Sequence, residues 1–159
     1  MIYPNGSVKV IDRVKNIFKL SQGEYIAPEK LENKYSLSDY VAQIMIYGDS
    51  LKNCCVGIIV LEQATCFKWA AENGKPQDLA ALANDKDMKA VVQDSLNVIT
   101  KEHKLSGIEK PYKIFLTHDA FSIENNILTP TFKLKRNVAR EVYKPQIDVM
   151  YAELTKEGR

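Results

Sequence analysis

Two apolar runs near the middle of the chain constrain its fold more than any other feature. Residues 40–48 read YVAQIMIYG and residues 54–62 read CCVGIIVLE, and only the polar segment DSLKN separates them. Both runs are rich in β-branched and aromatic residues, which favour strands over helices. Gly48 and Asp49 begin a turn between the runs. The sequence therefore predicts two neighbouring antiparallel strands joined by a short connection.

Helices and further strands surround this pair. Residues 16–21 (NIFKLS) and 112–119 (YKIFLTHD) have the composition of strands, and Pro28 is well placed in the first turn of a helix. Apolar residues recur at helical spacing through residues 85–105. A terminal helix is predicted over residues 136–154, and Pro145 either kinks it or starts a second helix there. This order predicts an α+β domain with a small mixed or antiparallel sheet flanked by helices.

The charge and cysteine content exclude several kinds of site. The 159 residues carry 22 basic and 20 acidic side chains, a net charge of +2, so we expect no nucleic-acid partner. The three cysteines, Cys54, Cys55 and Cys66, lack metal-ligand spacing and predict packed thiols in a reducing compartment, with no metal site. No apolar run is long enough to predict a transmembrane segment. These features predict a cytoplasmic protein.

A basic cluster in the last third of the chain predicts an anion site. In LTPTFKLKR (residues 128–136), Lys133, Lys135 and Arg136 follow a Thr-Pro-Thr turn. Three cations within four residues suit a phosphate or a carboxylate ligand, and a solvated helix start is the alternative. The sequence contains neither a GxxxxGK[ST] phosphate loop nor a GxGxxG loop. Any nucleotide site of those kinds must therefore lie outside this chain.

Two longer stretches carry a resemblance to a known family. IDRVKNIFKLSQGEYIAPEKLEN (residues 11–33) resembles the hinge motif of the adenylate-forming, AMP-binding enzymes. DAFSIENNILTPTFKLKR (residues 119–136) is similar to the C-terminal lysine motif of their long-chain fatty acyl-CoA synthetase branch. The resemblance implies that residues 1–14 end the large N-terminal domain and approach the hinge, with a short hairpin over residues 1–11. Residues 15–159 would be the mobile C-terminal domain.

The resemblance implies catalytic roles for two lysines. Enzymes of this family use ATP to join a fatty acid to CoA through an acyl-adenylate, and they release pyrophosphate and AMP. Lys133 matches the lysine whose ammonium bridges the carboxylate and the α-phosphate while the adenylate forms. Lys19 matches a residue that faces the active site during thioester formation.

Other positions match nucleotide-binding, CoA-binding and hinge residues. Arg13 corresponds to an arginine that reaches the nucleotide ribose, and Gly23 to a glycine where the backbone comes close to the pantetheine arm of CoA. Asp12 and Lys15 lie where the hinge pivot is expected. Glu32 either supports the neighbouring loop from its helix or is a plain surface carboxylate.

Three roles stay open for Lys135 and Arg136. They contact the CoA phosphates as cofactor-binding residues, pair with the other domain, or are simply exposed. We retain all three alternatives because the basic triplet is compatible with each of them.

The resemblance also implies what this chain lacks. The large domain would bind ATP, the fatty acid and Mg²⁺, so we expect the chain alone to be inactive. Any association with the endoplasmic reticulum or the peroxisome would use regions outside this chain. The alternative function is a non-catalytic interaction or regulatory module that retains this fold, and a nucleic-acid-binding basic face is the least supported alternative.

Overall fold

The computed structural model describes residues 17–158. Its elements are, in chain order, β1 (Phe18–Lys19), β2 (Tyr25–Ile26), α1 (Pro28–Tyr35), β3 (Val41–Tyr47), β4 (Cys55–Leu61), α2 (Gln63–Glu72), α3 (Leu79–Ala83), α4 (Lys86–Glu102), a short 3-10 helix (Gly107–Glu109), β5 (Pro111–Thr117), α5 (Arg136–Val142) and α6 (Lys144–Lys156). The hairpin predicted over residues 1–11 lies outside the described residues, as do Asp12, Arg13 and Lys15. No helix within residues 17–158 has both the length and the apolar content needed to cross a bilayer.

The three long strands share one mixed sheet in the order β3–β4–β5. β3 and β4 are antiparallel, with Ile44 opposite Ile59, whereas β4 and β5 are parallel, with Ile58 opposite Phe115. A parallel pair needs a long crossover, which α2, α3 and α4 supply. The predicted α+β class and the antiparallel central pair are therefore confirmed. β1 and β2 form a separate two-stranded antiparallel sheet.

Every residue of β4 is buried, because β4 is the central strand and helices cover both faces of the sheet. Successive side chains of a strand point to opposite faces. Ile59 and Leu61 pack with residues of α1 to α4, whereas Ile58 and Val60 pack with residues of α5 and α6. Burial on both faces explains why residues 54–61 are apolar without alternation.

A capping carboxylate and a proline in the first turn explain where two of the helices begin. α4 follows Asp85, whose carboxylate accepts hydrogen bonds from the N–H groups of Asp87 (2.8 Å) and Met88 (3.0 Å). The terminal segment contains two helices rather than one kinked helix. α6 begins at Lys144 with Pro145 in its first turn, where the missing N–H breaks no helical hydrogen bond.

The three cysteines are buried thiols, as the sequence predicts. Burial raises the pKa of Cys55 to about 12 and the pKa of Cys66 to about 11. A thiol with so high a pKa stays protonated near neutral pH and is a poor nucleophile. These cysteines therefore belong to the core rather than to a reactive site.

We predict that Leu96→Ala lowers the free energy of unfolding by about 2–5 kcal/mol, because Leu96 of α4 is fully buried and its loss leaves a cavity. Val98 lies on the same helix but is 52% exposed, so Val98→Ala should change stability by about 0.5 kcal/mol or less. Urea unfolding of both variants measures the difference. Equal losses would contradict the packing of α4 against the sheet.

Candidate functional site

The lysine loop, which we define as residues 128–135, is a tight hydrogen-bonded turn. An antiparallel bridge closes its base. The N–H of Phe132 donates to the carbonyl of Thr129, and the N–H of Thr129 donates to the carbonyl of Lys133, each over 2.8 Å. The Thr129 hydroxyl also accepts from the N–H of Lys133 (3.1 Å). These bonds fix the backbone that carries Lys133.

The three cations of the basic cluster have different surroundings. Lys133 is exposed, and no carboxylate within residues 17–158 forms an ion pair with it. The Nζ of Lys135 donates to Oδ1 of Asn126 over 2.6 Å. The guanidinium of Arg136 contacts the carboxylate of Glu32. Two of the three cations thus bond to other side chains of the domain, and Lys133 is the one left exposed without such a partner among the described residues.

The Glu32–Arg136 ion pair joins three elements. Nη1 and Nη2 of Arg136 donate to Oε2 and Oε1 of Glu32 over 2.8 Å and 2.5 Å, and the N–H of Ile46 donates to Oε2 over 2.8 Å. The pair therefore connects α1, β3 and the first residue of α5. Only 12% of the Glu32 side chain and 19% of the Arg136 side chain are exposed.

Burial raises the pKa of the Glu32 carboxyl above its usual value of 4.5. Loss of hydration outweighs the opposite effects of the Arg136 guanidinium and the Ile46 N–H. Glu32 is therefore not a plain surface carboxylate, and Arg136 is not simply exposed. Contact of Lys135 and Arg136 with CoA stays a prediction.

A cleft of about 220 Å³ brings the two sequence motifs together. Ile17 and Phe18, which follow the predicted hinge, contribute to its lining. Arg136 and Asn137, which follow the lysine loop, contribute as well, together with the last residues of β3. The hinge motif and the lysine motif are far apart in sequence but meet at one end of β3.

Lys19 and Gly23 lie on the β1–β2 hairpin. Lys19 is exposed, and its Nζ is 5.7 Å from the centroid of the Tyr25 ring. Gly23 has φ of +91°, so the turn itself requires a residue that tolerates the left-handed region. A larger cleft of about 580 Å³ adjoins the hairpin at Gln22 and Glu24. The roles predicted for Lys19 and Gly23 in thioester formation stay predictions.

Sequence reasoning missed the partner of Glu32, although the sequence contains a signal for its burial. Pro28, Leu31, Glu32 and Tyr35 have the spacing i, i+3, i+4, i+7, which places the carboxylate on the apolar face of α1. A carboxylate on such a face needs a cation or several hydrogen bonds. The pattern predicts that a partner exists but does not identify Arg136.

Gly48 has a second role that sequence reasoning missed. A Cβ atom at Gly48 would lie 2.6 Å from Cε2 of Phe18 and 3.1 Å from Cδ2 of Leu20. The β1 segment therefore packs directly on the backbone that leaves β3. The glycine is needed for this close approach, in addition to the turn that the sequence predicts.

We predict that Arg136→Ala lowers the free energy of unfolding by about 3–5 kcal/mol near neutral pH, because it leaves the Glu32 carboxylate buried without its cation. The pKa of Glu32 already lies above 4.5 and should rise further in the variant. The penalty is therefore full above that pKa and declines as the pH falls through it and Glu32 takes up a proton. Urea unfolding at about pH 7 and about pH 5 measures this difference.

Lys144→Ala is the matched control for this prediction. Lys144 pairs with Asp148 over 3.1 Å, but both side chains are more than half exposed. Removing this pair should change stability by about 0.5 kcal/mol or less at either pH. A loss in Arg136→Ala that is equally small would show that the buried pair does not hold α5 in place.

The chain is similar to long-chain acyl-CoA synthetases over nearly its whole length. It is 44% identical over 152 residues to long chain acyl-CoA synthetase 6, peroxisomal, of Arabidopsis thaliana, covering 95% of this chain and 22% of that protein. It is 44% identical over 149 residues to long-chain-fatty-acid–CoA ligase 6 of Rattus norvegicus, covering 94% of this chain and 21% of that protein. The chain thus spans about a fifth of the length of these relatives. No protein-family profile matches it.

Solved structures of adenylation domains have the same fold. The adenylation domain of a carboxylate reductase from Mycobacterium chelonae matches with a TM-score of 0.79 and 30% identity, covering 92% of this chain and 21% of that one. A didomain of carboxylic acid reductase from Segniliparus rugosus, solved with AMP, matches with a TM-score of 0.77 and 29% identity, covering 98% and 22%. Over nearly its whole length, this chain therefore matches one segment of the long-chain acyl-CoA synthetases, and it has the fold of the corresponding segment of adenylation domains.

Proposed function

We propose that this chain is the C-terminal domain of a long-chain fatty acid–CoA ligase, which converts ATP, a fatty acid and CoA to acyl-CoA, AMP and pyrophosphate. The similarity to long-chain acyl-CoA synthetases supports the reaction class. The observation that carries the proposal is Lys133, an exposed cation on a hydrogen-bonded loop. Such an ammonium is available to reactants that another domain holds.

Lys133 would act in the first half-reaction. A fatty-acid carboxylate oxygen attacks the α-phosphorus of ATP, and pyrophosphate leaves. The two reactants repel each other because both are anions. The Lys133 ammonium would offset this repulsion and stabilise the charge that builds up on the α-phosphate in the transition state. The fixed turn lowers the cost of placing the ammonium, since its backbone needs no further ordering.

The β1–β2 hairpin would act in the second half-reaction. The CoA thiol attacks the acyl carbon of the adenylate, and AMP leaves. Lys19 and Gly23 would face the active site at this stage, and Arg13 would contact the nucleotide ribose. Among the described residues, the lining of the cleft beside the hairpin contains Glu24 and otherwise uncharged residues, without a lysine or arginine. That lining suits the uncharged pantetheine arm better than the CoA phosphates.

The proposed domain division places the hinge just before β1. Residues 1–14 would end the large domain, residues 15–159 would be the mobile domain, and Asp12 and Lys15 would form the pivot. The large domain would supply the pockets for ATP and the fatty acid and would hold Mg²⁺. The complete enzyme would be cytoplasmic, with any attachment to the endoplasmic reticulum or the peroxisome formed by its other regions.

We predict that Lys133→Ala slows adenylate formation about a hundredfold or more when the chain is joined to a matching large domain. Transfer of a supplied acyl-adenylate to CoA should survive, because the lysine has completed its role by then. The chain without a large domain should form no adenylate. Pyrophosphate release and thioester formation, assayed separately, measure the two half-reactions.

Lys68→Ala is the control for this prediction, because Lys68 is an exposed lysine of α2 far along the chain from the lysine loop. It should change neither half-reaction. If Lys133→Ala leaves adenylation intact or slows both halves equally, the role of Lys133 is wrong. An unaffected enzyme would favour a non-catalytic interaction module.

We predict that Lys15→Pro lowers the overall rate of acyl-CoA formation in the joined enzyme more than it lowers either half-reaction alone. Proline fixes φ at residue 15, so it restricts the rotation between the two half-reactions. Lys15→Ala removes the same charge and leaves the backbone free. Should both variants lose the same activity, the lysine side chain would matter and the pivot would not lie at this residue.

A further inference from the structure

Phe132 is exposed at the tip of the lysine loop in a conformation that disfavours it. Its φ is +65°, and 73% of its surface is exposed. Two other non-glycine residues in the described part of the chain, Lys104 and Asn126, have positive φ. Asparagine tolerates this region well, whereas a bulky aromatic residue does not. Phe132 therefore combines backbone strain with unburied apolar surface.

The loop holds Phe132 in this position. The N–H of Phe132 donates to the carbonyl of Thr129, and the N–H of Thr129 donates to the carbonyl of Lys133. The N–H of Lys133 donates to the hydroxyl of Thr129. The hydroxyls of Thr129 and Thr131 lie 3.0 Å apart. At the base of the loop, the N–H of Lys135 donates to the carbonyl of Ile127 over 2.7 Å. The exposure of Phe132 is thus a property of an ordered turn. Strain that persists in an ordered turn points to a function rather than to stability.

We propose that Phe132 is a docking residue, whose ring enters an apolar pocket of the large domain when Lys133 reaches the reactants. This inference rests on the proposed function of Lys133. The Cα atoms of adjacent residues are about 3.8 Å apart, so a loop that brings Lys133 to the large domain brings Phe132 to it as well. A rigid aromatic side chain at the centre of a contact is the usual anchor of a protein interface.

A lipid surface is the other partner that an aromatic residue beside lysines could meet. Two observations favour the large domain. Lys135, the second lysine of the loop, is bonded to Asn126 and is only partly exposed, which leaves Lys133 as the exposed lysine beside the ring. The loop is also fixed by hydrogen bonds, which suits a preformed pocket better than a fluid surface.

The test compares Phe132→Asn with Phe132→Tyr in the joined enzyme. Asparagine tolerates the left-handed backbone and removes the ring, whereas tyrosine retains the ring. We expect Phe132→Asn to lower kcat/KM for adenylation about tenfold or more, with transfer from supplied acyl-adenylate to CoA retained, and Phe132→Tyr to keep most of the activity. Adenylation that is unchanged in Phe132→Asn, or lost equally in both variants, would overturn the proposal.

Leu51→Asn is the matched control, because Leu51 is 85% exposed in the turn after β3 and lies outside the lysine loop. It should leave adenylation unchanged. If it lowers adenylation as much as Phe132→Asn does, loss of any exposed apolar residue would explain the effect, and the specific role of Phe132 would be wrong.

Thermal unfolding of the 159-residue chain separates docking from a structural role. Phe132→Asn relieves the backbone strain at residue 132, and the ring that it removes is mostly exposed, so little buried apolar surface is lost. The Tm of the variant should therefore be equal to that of the parent or higher. A clear fall in Tm would mean that Phe132 stabilises the loop itself. The joined enzyme with Phe132→Asn should bind anionic lipid vesicles as well as the parent joined enzyme does. If the variant loses vesicle binding but keeps adenylation, Phe132 contacts lipid instead of the large domain.

The parallel assay of Lys133→Ala keeps the two proposals distinguishable. If Lys133→Ala abolishes adenylation and Phe132→Asn does not affect it, the function stands and the docking role fails. If neither variant affects adenylation, the proposed function fails, and the docking role fails with it.

Discussion

The arrangement of the candidate site depends on the buried Glu32–Arg136 ion pair. Its carboxylate lies on α1, its guanidinium begins α5, and the N–H of Ile46 completes the contact on β3. Both charged groups of a buried ion pair lose hydration, so the pair is weak evidence for added stability. Its value here is positional, because a planar guanidinium bonded at two points fixes the helix start in distance and in orientation. The lysine loop ends where that helix begins.

Each cation of the basic cluster has the chemistry that its position requires. Arg136 stays charged when buried and binds a carboxylate through two nitrogens, which makes it suited to joining elements of the fold. Lys135 is held by a single hydrogen bond to Asn126. Lys133 is a compact charge on a flexible stem, which suits a reacting centre whose geometry changes. The triplet is thus not a uniform basic patch, although its sequence suggests one.

Sequence patterns predicted the elements better than the contacts between them. β3 and β4 were predictable because burial imposes β-branched composition, and α4 because its stripe repeats with the helical period. The ion pair between Glu32 and Arg136 was not predictable, because the sequence pattern shows that a carboxylate is buried without showing which cation it contacts. The φ of Phe132 was also unpredictable, because turns at this position commonly use glycine or asparagine and the sequence offers neither.

Both candidate segments are attached to the same end of β3, so the fold carries them as one body. The lysine loop is attached through Arg136 and Glu32 to the N–H of Ile46. The β1–β2 hairpin is attached through Phe18 to Gly48, and the N–H of Ser21 donates to the carbonyl of Lys52 over 2.8 Å in the following turn. A rotation at a hinge before β1 would therefore move both segments together, without a rearrangement inside the sheet. β4 is buried on both faces and resists such a rearrangement, because any shift of that strand would disturb the packed apolar cluster on each face of the sheet.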